Sequence, residues 1–335
     1  MAKSITIKDI AREAGVSIAL VSFVMNNRTE ANGKQKYRVS STTRDRILEV
    51  ARRYNYQPSS AARMLRQGRT RVIGVILSDL SNIFYGIIAR ELENQAALHG
   101  YTVLFGSSDE DPRKFDLLLR SFIEKDVEGF IVVPCEGSRS SLEYLIRSGR
   151  PFVVIDRYHP DYRLPTVLTD NADAMRQAVD YLRSQGARSI EMVSYAMRIS
   201  SMGDRETAFR EILGADAHIY HLPFNLKASD ASAVADEVIR KGTDALIMSS
   251  NVPSVAVLQQ LFRRGVRIQK DIKVVSFDYS NAYAFFDPPI PYILQPLPQI
   301  TEAAAAYLFR LIEAHSNGES PEAAKKIVFK SKLIV

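Results

Sequence analysis

The 335-residue chain has one cysteine, no tryptophan, and no apolar run of the roughly 18 residues that a membrane helix needs. Because Cys135 has no second thiol to pair with, neither a disulfide framework nor a two-cysteine metal site can form within the chain. Cys135 is therefore expected to be a small buried hydrophobic residue. The first residues are charged where an export signal needs an apolar segment, so we expect a cytoplasmic protein without a membrane partner.

Recognisable catalytic motifs are also missing. No glycine-rich dinucleotide loop, Walker loop, GxSxG elbow or HExxH helix occurs. Among five histidines, only His218 and His221 lie close together, and a spacing of three on a strand places them on opposite sides. We therefore expect no enzyme activity, no cofactor and no metal.

Charge is distributed unevenly along the chain. Residues 1–70 contain 14 Lys and Arg against 5 Asp and Glu, a net charge of +9, whereas the whole chain has +6. A small basic domain before a larger, mildly acidic one predicts a head that binds a polyanion. The alternative is a solvated charged surface.

The head has helical periodicity. Three helices are predicted, about 7–14, 17–25 and 40–54, with Thr6 and Ser17 as N-caps of the first two. Gly15 supplies the backbone conformation that a sharp turn between two short helices requires. In the second helix the expected inward residues are Val21, Val24 and Met25.

The segment Thr6–Ser17, followed by Val21-Ser22 and Asn26-Asn27, resembles the DNA-binding head of the LacI/GalR family of bacterial transcription regulators. Residues 56–66 are similar to the hinge of that family, which implies that Ser60 to Arg66 form a helix ordered on DNA. In this hinge, Leu65 is expected to insert between base steps from the minor groove.

The resemblance, with the basic loop at 28–39, assigns a set of DNA-binding residues. The recognition helix should present Ile18, Ala19, Ser22 and Phe23 to the major groove, although many relatives have a polar side chain at Phe23. The loop is either a phosphate-binding segment or a solvated one. The full set is Thr6, Ser17, Ile18, Ala19, Ser22, Phe23, Asn26, Lys34, Lys36, Arg38, Ser60, Arg63 and Leu65.

From residue 71, short β-rich runs alternate with helical stretches, beginning with a strand at Val72–Leu77 and a helix at Ile83–Leu98. This alternation predicts parallel sheets covered by helices. About ten strands are too many for one ordinary sheet, so two α/β lobes with a cleft between them are expected. By the resemblance, which runs the full length, the lobes are similar to a periplasmic sugar-binding protein and the chain crosses between them three times.

Polar residues at strand ends predict a ligand site in this cleft. Asp156 and Asp278 each end a buried strand, and a carboxylate can accept from paired sugar hydroxyls. The resemblance adds Arg205, Asn251 and Gln295. The expected effector-binding residues, with two aromatics as a stacking surface, are Phe84, Tyr85, Asp156, Arg205, Asn251, Asp278 and Gln295. For each, a helix cap, a turn residue or interlobe packing is the structural alternative.

These patterns predict an α/β protein with a three-helix helix-turn-helix head, a hinge helix and a two-lobed core of parallel sheets similar to periplasmic binding proteins. The expected domains are 1–57, 58–70 and 71–335. The resemblance implies a homodimeric repressor that binds a pseudo-palindromic operator in double-stranded DNA under the control of a small-molecule effector, which is expected to be a carbohydrate. The alternative is a sugar-binding module or sugar-processing enzyme without a DNA function.

Overall fold

The structure is a computed structural model that describes residues 5–25, 39–56, 69–320 and 322–335. The chain divides into two compact units, Met1–Thr70 and Arg71–Val335, which we call the head and the core. Within the described ranges, no helix is both long enough and apolar enough to cross a membrane.

Among its described residues, the head contains three helices, α1 (Ile7–Glu13), α2 (Ile18–Met25) and α3 (Ser41–Arg53), close to the predicted bounds. At the start of α1, the Asp9 carboxylate accepts hydrogen bonds from the Thr6 backbone N–H at 3.0 Å and the Thr6 hydroxyl at 2.7 Å. Gly15 adopts a φ of 63°, as the predicted turn requires. All three helices contribute to one apolar core, whose buried residues are Ile10, Ala11, Ala14, Val21, Phe23, Val24, Ile47 and Val50.

The described part of the core contains twelve strands in two six-stranded sheets. The strands are β1 (Val72–Leu77), β2 (Thr102–Ser107), β3 (Gly129–Val132), β4 (Phe152–Ile155), β5 (Thr166–Thr169), β6 (Ile190–Tyr195), β7 (His218–Leu222), β8 (Ala245–Met248), β9 (Lys273–Phe277), β10 (Tyr292–Leu294), β11 (Lys326–Phe329) and β12 (Lys332–Ile334). The first sheet has the order β11-β5-β4-β3-β1-β2, and the second has the order β12-β10-β9-β8-β6-β7. All neighbours pair in parallel except β10 and β12.

Helices cover the faces of both sheets, which confirms the predicted α/β fold. They are α4 (Ile83–Leu98), α5 (Pro112–Glu124), α6 (Arg139–Arg147), α7 (Asn171–Ser184), α8 (Ser200–Leu213), α9 (Ala228–Lys241), α10 (Asn251–Arg263) and α11 (Leu297–Ser316). The first lobe combines the first sheet with α4, α5, α6 and α11. The second combines the second sheet with α7, α8, α9 and α10.

The chain passes between the lobes three times, after β5, after β10 and after β11. At the first passage, β5 ends at Thr169 in the first sheet and α7 begins at Asn171 in the second lobe. At the second, α11 follows β10 and packs on the first sheet. The expected number of crossings is therefore confirmed.

Candidate functional site

Asp156 and Asp278 occupy equivalent places in the two lobes. Each directly follows a central strand, β4 or β9, and each has a left-handed backbone conformation, with φ of 66° and 67°. This conformation is uncommon outside glycine, although Asp tolerates it better than most residues. It turns the chain sharply at the carboxyl end of the strand, the edge at which parallel α/β folds hold ligands.

In the first lobe, Asp156 belongs to a buried ionic cluster. The Tyr85 hydroxyl donates to Asp156 at 2.9 Å, and Arg157 Nη2 donates to the same Tyr85 oxygen at 3.1 Å. Arg157 Nη1 lies 2.7 Å from Glu110 Oε1, with both side chains almost fully buried. Burial, together with the nearby carboxylates, raises the pKa of Tyr85, so its hydroxyl stays protonated and remains a donor.

In the second lobe, Arg205 is only 2% exposed and is held by neutral groups. Its Nε donates to Asn171 Oδ1 at 2.8 Å, its Nη1 donates to the Ser249 carbonyl at 2.5 Å, and its guanidinium lies 4.3 Å from the centre of the Phe277 ring. None of these partners carries a negative charge, and the carboxylate with which the positive charge of Arg205 interacts is that of Asp278, in the wall of the same cavity.

Asp278 is 7% exposed and accepts a hydrogen bond from Gln295 Nε2 at 2.6 Å. Burial raises the pKa of Asp278 to about 6; Arg205 and Gln295 oppose this rise, and Asp156 adds to it. The two strand-end carboxylates, one from each lobe, therefore interact electrostatically across the cleft.

A cavity of about 490 Å³, its mouth included, lies between the lobes, and we call it the cleft. Six of the seven predicted effector residues line it, and these are Phe84, Tyr85, Asp156, Arg205, Asp278 and Gln295. Asn251 does not line it. Its side-chain amide instead donates to Asn82 Oδ1 in the first lobe at 2.9 Å and to the Tyr279 carbonyl at 3.3 Å, and its neighbour Ser250 lines the wall.

Other residues that line the cleft were not predicted from the sequence. They include Asp79 and Asn82 after β1, Arg157 after β4, and Tyr195 at the end of β6. The position of each at a strand end was the signal that could have identified it. Arg157 was overlooked because a charged residue beside a buried strand is usually solvated, whereas here Glu110 compensates its charge.

In the head, Ser17, Ile18 and Ala19 are exposed at the start of α2, and Ser17 Oγ accepts from the Leu20 N–H at 3.2 Å. Thr6 caps α1. Ser22 and Phe23 are only 8% and 7% exposed, so their assignment to the groove-facing surface stays a prediction. Since α2 is apolar on nearly every side, its buried face is wider than the predicted stripe. The remaining predicted DNA-binding residues lie outside the described ranges, and these are Asn26, Lys34, Lys36, Arg38, Ser60, Arg63 and Leu65.

Comparison with known families gives two matches. Residues 6–59 match the family described as bacterial regulatory proteins, lacI family, and residues 179–334 match the periplasmic binding protein-like domain. The head is thus a lacI-family domain, and the core contains a periplasmic binding protein-like domain. A chain with this head is a DNA-binding transcriptional regulator and not an enzyme, so the alternative of a sugar-processing enzyme or a module without a DNA function is wrong.

Relatives match this chain over nearly its whole length. Catabolite control protein A of Staphylococcus epidermidis is 28% identical over 323 residues, 95% of this chain and 94% of that protein. The regulator pepR1 of Lactobacillus delbrueckii is 27% identical, over 99% of this chain and 97% of that protein.

Solved structures show the same fold. A putative ribose operon repressor from Burkholderia thailandensis has a TM-score of 0.69 at 27% identity, covering 79% of this chain and 99% of that one. The Lac repressor bound to ONPG has a TM-score of 0.82 at 18% identity, covering 99% of both chains. The head and the two-lobed core predicted from the resemblance are thus confirmed.

Proposed function

We propose that this LacI-family regulator is a cytoplasmic homodimeric repressor whose affinity for a pseudo-palindromic operator is set by a sugar or sugar derivative bound in the cleft. The observation that carries the effector site is the meeting of Asp156 and Asp278, from opposite lobes, in the wall of one cavity. A ligand that donates hydroxyl groups to both carboxylates binds the lobes in one relative arrangement better than in others.

Each of the seven predicted effector residues has a role in this proposal. The two carboxylates accept from hydroxyl pairs, Arg205 donates to a ring or hydroxyl oxygen, and Gln295 fixes the orientation of Asp278. Phe84 and Tyr85, whose rings meet edge to face with centroids 5.0 Å apart, provide an apolar surface for a sugar ring. Asn251 acts through the interlobe hydrogen bond to Asn82 rather than by touching the effector.

Regulation follows from linkage between two ligands. An effector that prefers one lobe arrangement changes the position from which residues 58–70, the proposed hinge, leave the core at residue 71. DNA prefers the state in which the hinge helix is ordered. Each ligand therefore changes the affinity for the other by the same factor. Residues 1–57 are the proposed DNA-binding domain and residues 71–335 the effector and dimerisation domain.

Exposed apolar side chains on one helix of each lobe support the homodimer. On α4, Ile83 is 36% and Leu98 is 79% exposed, and on α10, Val252, Val255 and Phe262 are 37%, 36% and 68% exposed. The three α10 residues recur at spacings of three and seven, so they form a stripe along one side of that helix. Large apolar residues grouped in this way are typical of surfaces that another protein covers.

The DNA contacts proposed for the head combine apolar and basic groups. Ile18, 45% exposed, and Ala19 offer apolar contacts to thymine methyl groups, while Ser17 and Thr6 lie at helix starts, where backbone N–H groups can contact phosphates. The basic residues of the loop and hinge would then add the electrostatic component of binding.

The test measures operator affinity and its change when an effector binds. Operator sequences would be selected from random DNA with the full chain, and fluorescence anisotropy would measure operator affinity with and without a panel of sugars. At least one sugar should change the operator affinity of the wild-type protein.

In Asp278→Ala the effect of that sugar on operator affinity should disappear, while effector-free operator affinity stays within a few-fold. The exposed carboxylate variant Asp180→Ala should behave as wild type. If Asp278→Ala binds the sugar normally in calorimetry, the site assignment is wrong.

A further inference from the structure

The first residue of the core, Arg71, has an unusual backbone conformation. Its φ is 54°, in the left-handed region that residues other than glycine rarely adopt. Arg71 lies between the proposed hinge, 58–70, and β1, which begins at Val72. Rotation about the N–Cα bond of Arg71 turns all of the preceding chain relative to β1. This one φ angle therefore sets the direction in which the hinge leaves the core.

Three contacts within the core hold Arg71. Its backbone N–H donates to Glu128 Oε1 at 2.7 Å, and its carbonyl accepts from the Thr102 N–H at 2.9 Å. Its guanidinium lies 5.2 Å from the centre of the Tyr101 ring. A strained backbone conformation of this kind persists only where the surrounding structure enforces it, and such residues are concentrated at functional sites.

Glu128 binds the group that moves when φ changes. The N–H of Arg71 lies in the peptide plane that rotates about the N–Cα bond, so a carboxylate that holds this N–H also holds φ. The second carboxylate oxygen, Oε2, accepts from the Tyr101 hydroxyl at 2.8 Å, and Tyr101 is only 8% exposed. The backbone N–H of Glu128 donates to the Val72 carbonyl at 2.8 Å. Glu128 is thus fixed at its backbone and at both carboxylate oxygens, and we call Arg71, Tyr101 and Glu128 the exit clamp.

The exit clamp also packs against α11. The centroid of the Tyr101 ring lies 4.8 Å from that of Phe309, a residue of this helix that is 9% exposed. α11 begins at Leu297, two residues after Gln295, which donates to Asp278 in the cleft. One helix therefore joins a wall of the cleft to the exit clamp.

We infer that Glu128 is a positioning residue for DNA binding: it holds the Arg71 N–H, Tyr101 holds Glu128, and the core thereby fixes the direction of the hinge. Without Glu128, Arg71 would relax to the negative φ that residues other than glycine prefer. The arrangement of the lobes would then no longer determine the position of the hinge. This inference rests on the proposed function, because it specifies how the core controls the hinge.

Glu128→Gln in the full chain tests the inference. An amide of nearly the same size keeps one acceptor, but its NH₂ group then opposes either the Arg71 N–H or the Tyr101 hydroxyl, both of which are donors. Affinity for the selected operator should fall at least ten-fold. Affinity for non-specific DNA should change less than two-fold, because the proposed hinge helix is ordered on the operator. Glu124→Gln, at an exposed position at the end of α5, should change neither affinity.

Tyr101→Phe is a milder variant for the same measurement. It removes the hydroxyl that orients Glu128 and keeps the ring that packs on Phe309. Operator affinity should fall at least three-fold, again with non-specific binding unchanged. Where Glu128→Gln fails to fold, Tyr101→Phe decides the question by the same criteria. Operator affinity within two-fold of wild type, or equal losses on operator and non-specific DNA, would overturn the inference.

Effector binding separates positioning from a structural role. Calorimetry would use a sugar that alters the operator affinity of the wild-type protein. Glu128→Gln should bind this sugar within two-fold of wild type, although the sugar should change operator affinity by no more than half of the wild-type effect on a logarithmic scale. Parallel losses of sugar affinity and operator affinity would indicate a damaged core and overturn the inference.

The inference and the proposed function fail in different ways. If no sugar of the panel alters the operator affinity of the wild-type protein, the sugar effector of the proposed function fails. A loss of operator affinity in Glu128→Gln with unchanged non-specific binding would still support the exit clamp, since that comparison needs no effector.

Discussion

Gln295 donates a 2.6 Å hydrogen bond to the Asp278 carboxylate while its own carbonyl accepts from Thr169 at 2.5 Å. Thr169 ends β5 just before the first passage between lobes, and Gln295 lies just before the second. The buried carboxylate of the cleft is therefore attached through one amide to two of the three connections between the lobes. A ligand or a substitution that disturbs the Asp278 carboxylate therefore also disturbs the hydrogen bonds of the segments about which the lobes would move.

The first prediction concerns the pH dependence of stability. The folded-state pKa of Asp278, about 6, lies above the ordinary Asp value of 3.8, so the folded protein binds this proton more tightly than the unfolded chain does. Asp278 costs the protein no stability at low pH, where its carboxyl group is protonated. The free energy of unfolding falls as the pH rises from about 4 to 6, because the buried group then has to ionise. At pH 7 the cost is about 3 kcal/mol, from roughly 1.4 kcal/mol per pKa unit.

Asp278→Asn should therefore raise the free energy of unfolding at pH 7, by up to about 3 kcal/mol. The gain over wild type should shrink as the pH is lowered from 6 to 4. Urea denaturation at several pH values measures this difference. A gain that is the same at pH 7 and pH 4.5 would show that the buried charge is not its cause.

The second prediction concerns Phe23, which is part of the core of the head. Phe23→Ala should destabilise the head by about 3 kcal/mol because it leaves a cavity among three helices. Hydrogen exchange of the full chain should then show lost protection in α1 and α3. Ile18→Ala, at an exposed position, should keep that protection and weaken operator binding instead. Intact protection in Phe23→Ala would instead support the groove-facing interpretation of this residue.

The third prediction concerns Leu65, which lies outside the described residues. If its side chain inserts between base steps, Leu65→Ala should weaken specific operator binding by about 2–4 kcal/mol, on the order of the unstacking and bending energies. Binding to non-specific DNA should change little. Titrations on both DNAs at one salt concentration measure the two affinities, and equal losses would exclude the insertion.

The fourth prediction concerns the symmetry of the operator. A homodimer with one recognition helix per protomer requires two half-sites about one helical turn apart. Insertion of two base pairs at the centre rotates one half-site by roughly 70° on a turn of about 10.5 base pairs. Binding should collapse although every base of each half-site remains. Full affinity of a monomer for a single half-site, observed by footprinting and sedimentation, would contradict the dimer.

The sequence allowed prediction of the long, regularly patterned elements. Strands such as β1 and β4 are nearly continuous apolar runs, and α4 has the predicted bounds of Ile83 and Leu98. The strands β5, β10, β11 and β12 were not predicted, because a run of only three or four residues carries too little periodicity. The nine-residue α6 was missed as well, since its first turn is polar and resembles a loop.

The candidate cleft was predicted only in part. Strand-end carboxylates are visible in a sequence because they interrupt an apolar run, as Asp156 and Asp278 do. The partnership of Arg157 with Glu110 joins residues 47 positions apart, so no local pattern indicates it. The burial of Phe23 depends on helices packed around it, and the same helical spacing is compatible with either face.

The three passages between the lobes have a consequence for biosynthesis. The edge strand β11 of the first sheet and the edge strand β12 of the second both come from residues 326–335. Neither lobe can acquire its full sheet until these residues have been synthesised, long after the residues of the head. A message truncated before codon 326 therefore yields a complete DNA-binding head on a core in which both sheets lack a strand. Such a product should engage DNA without responding to the effector.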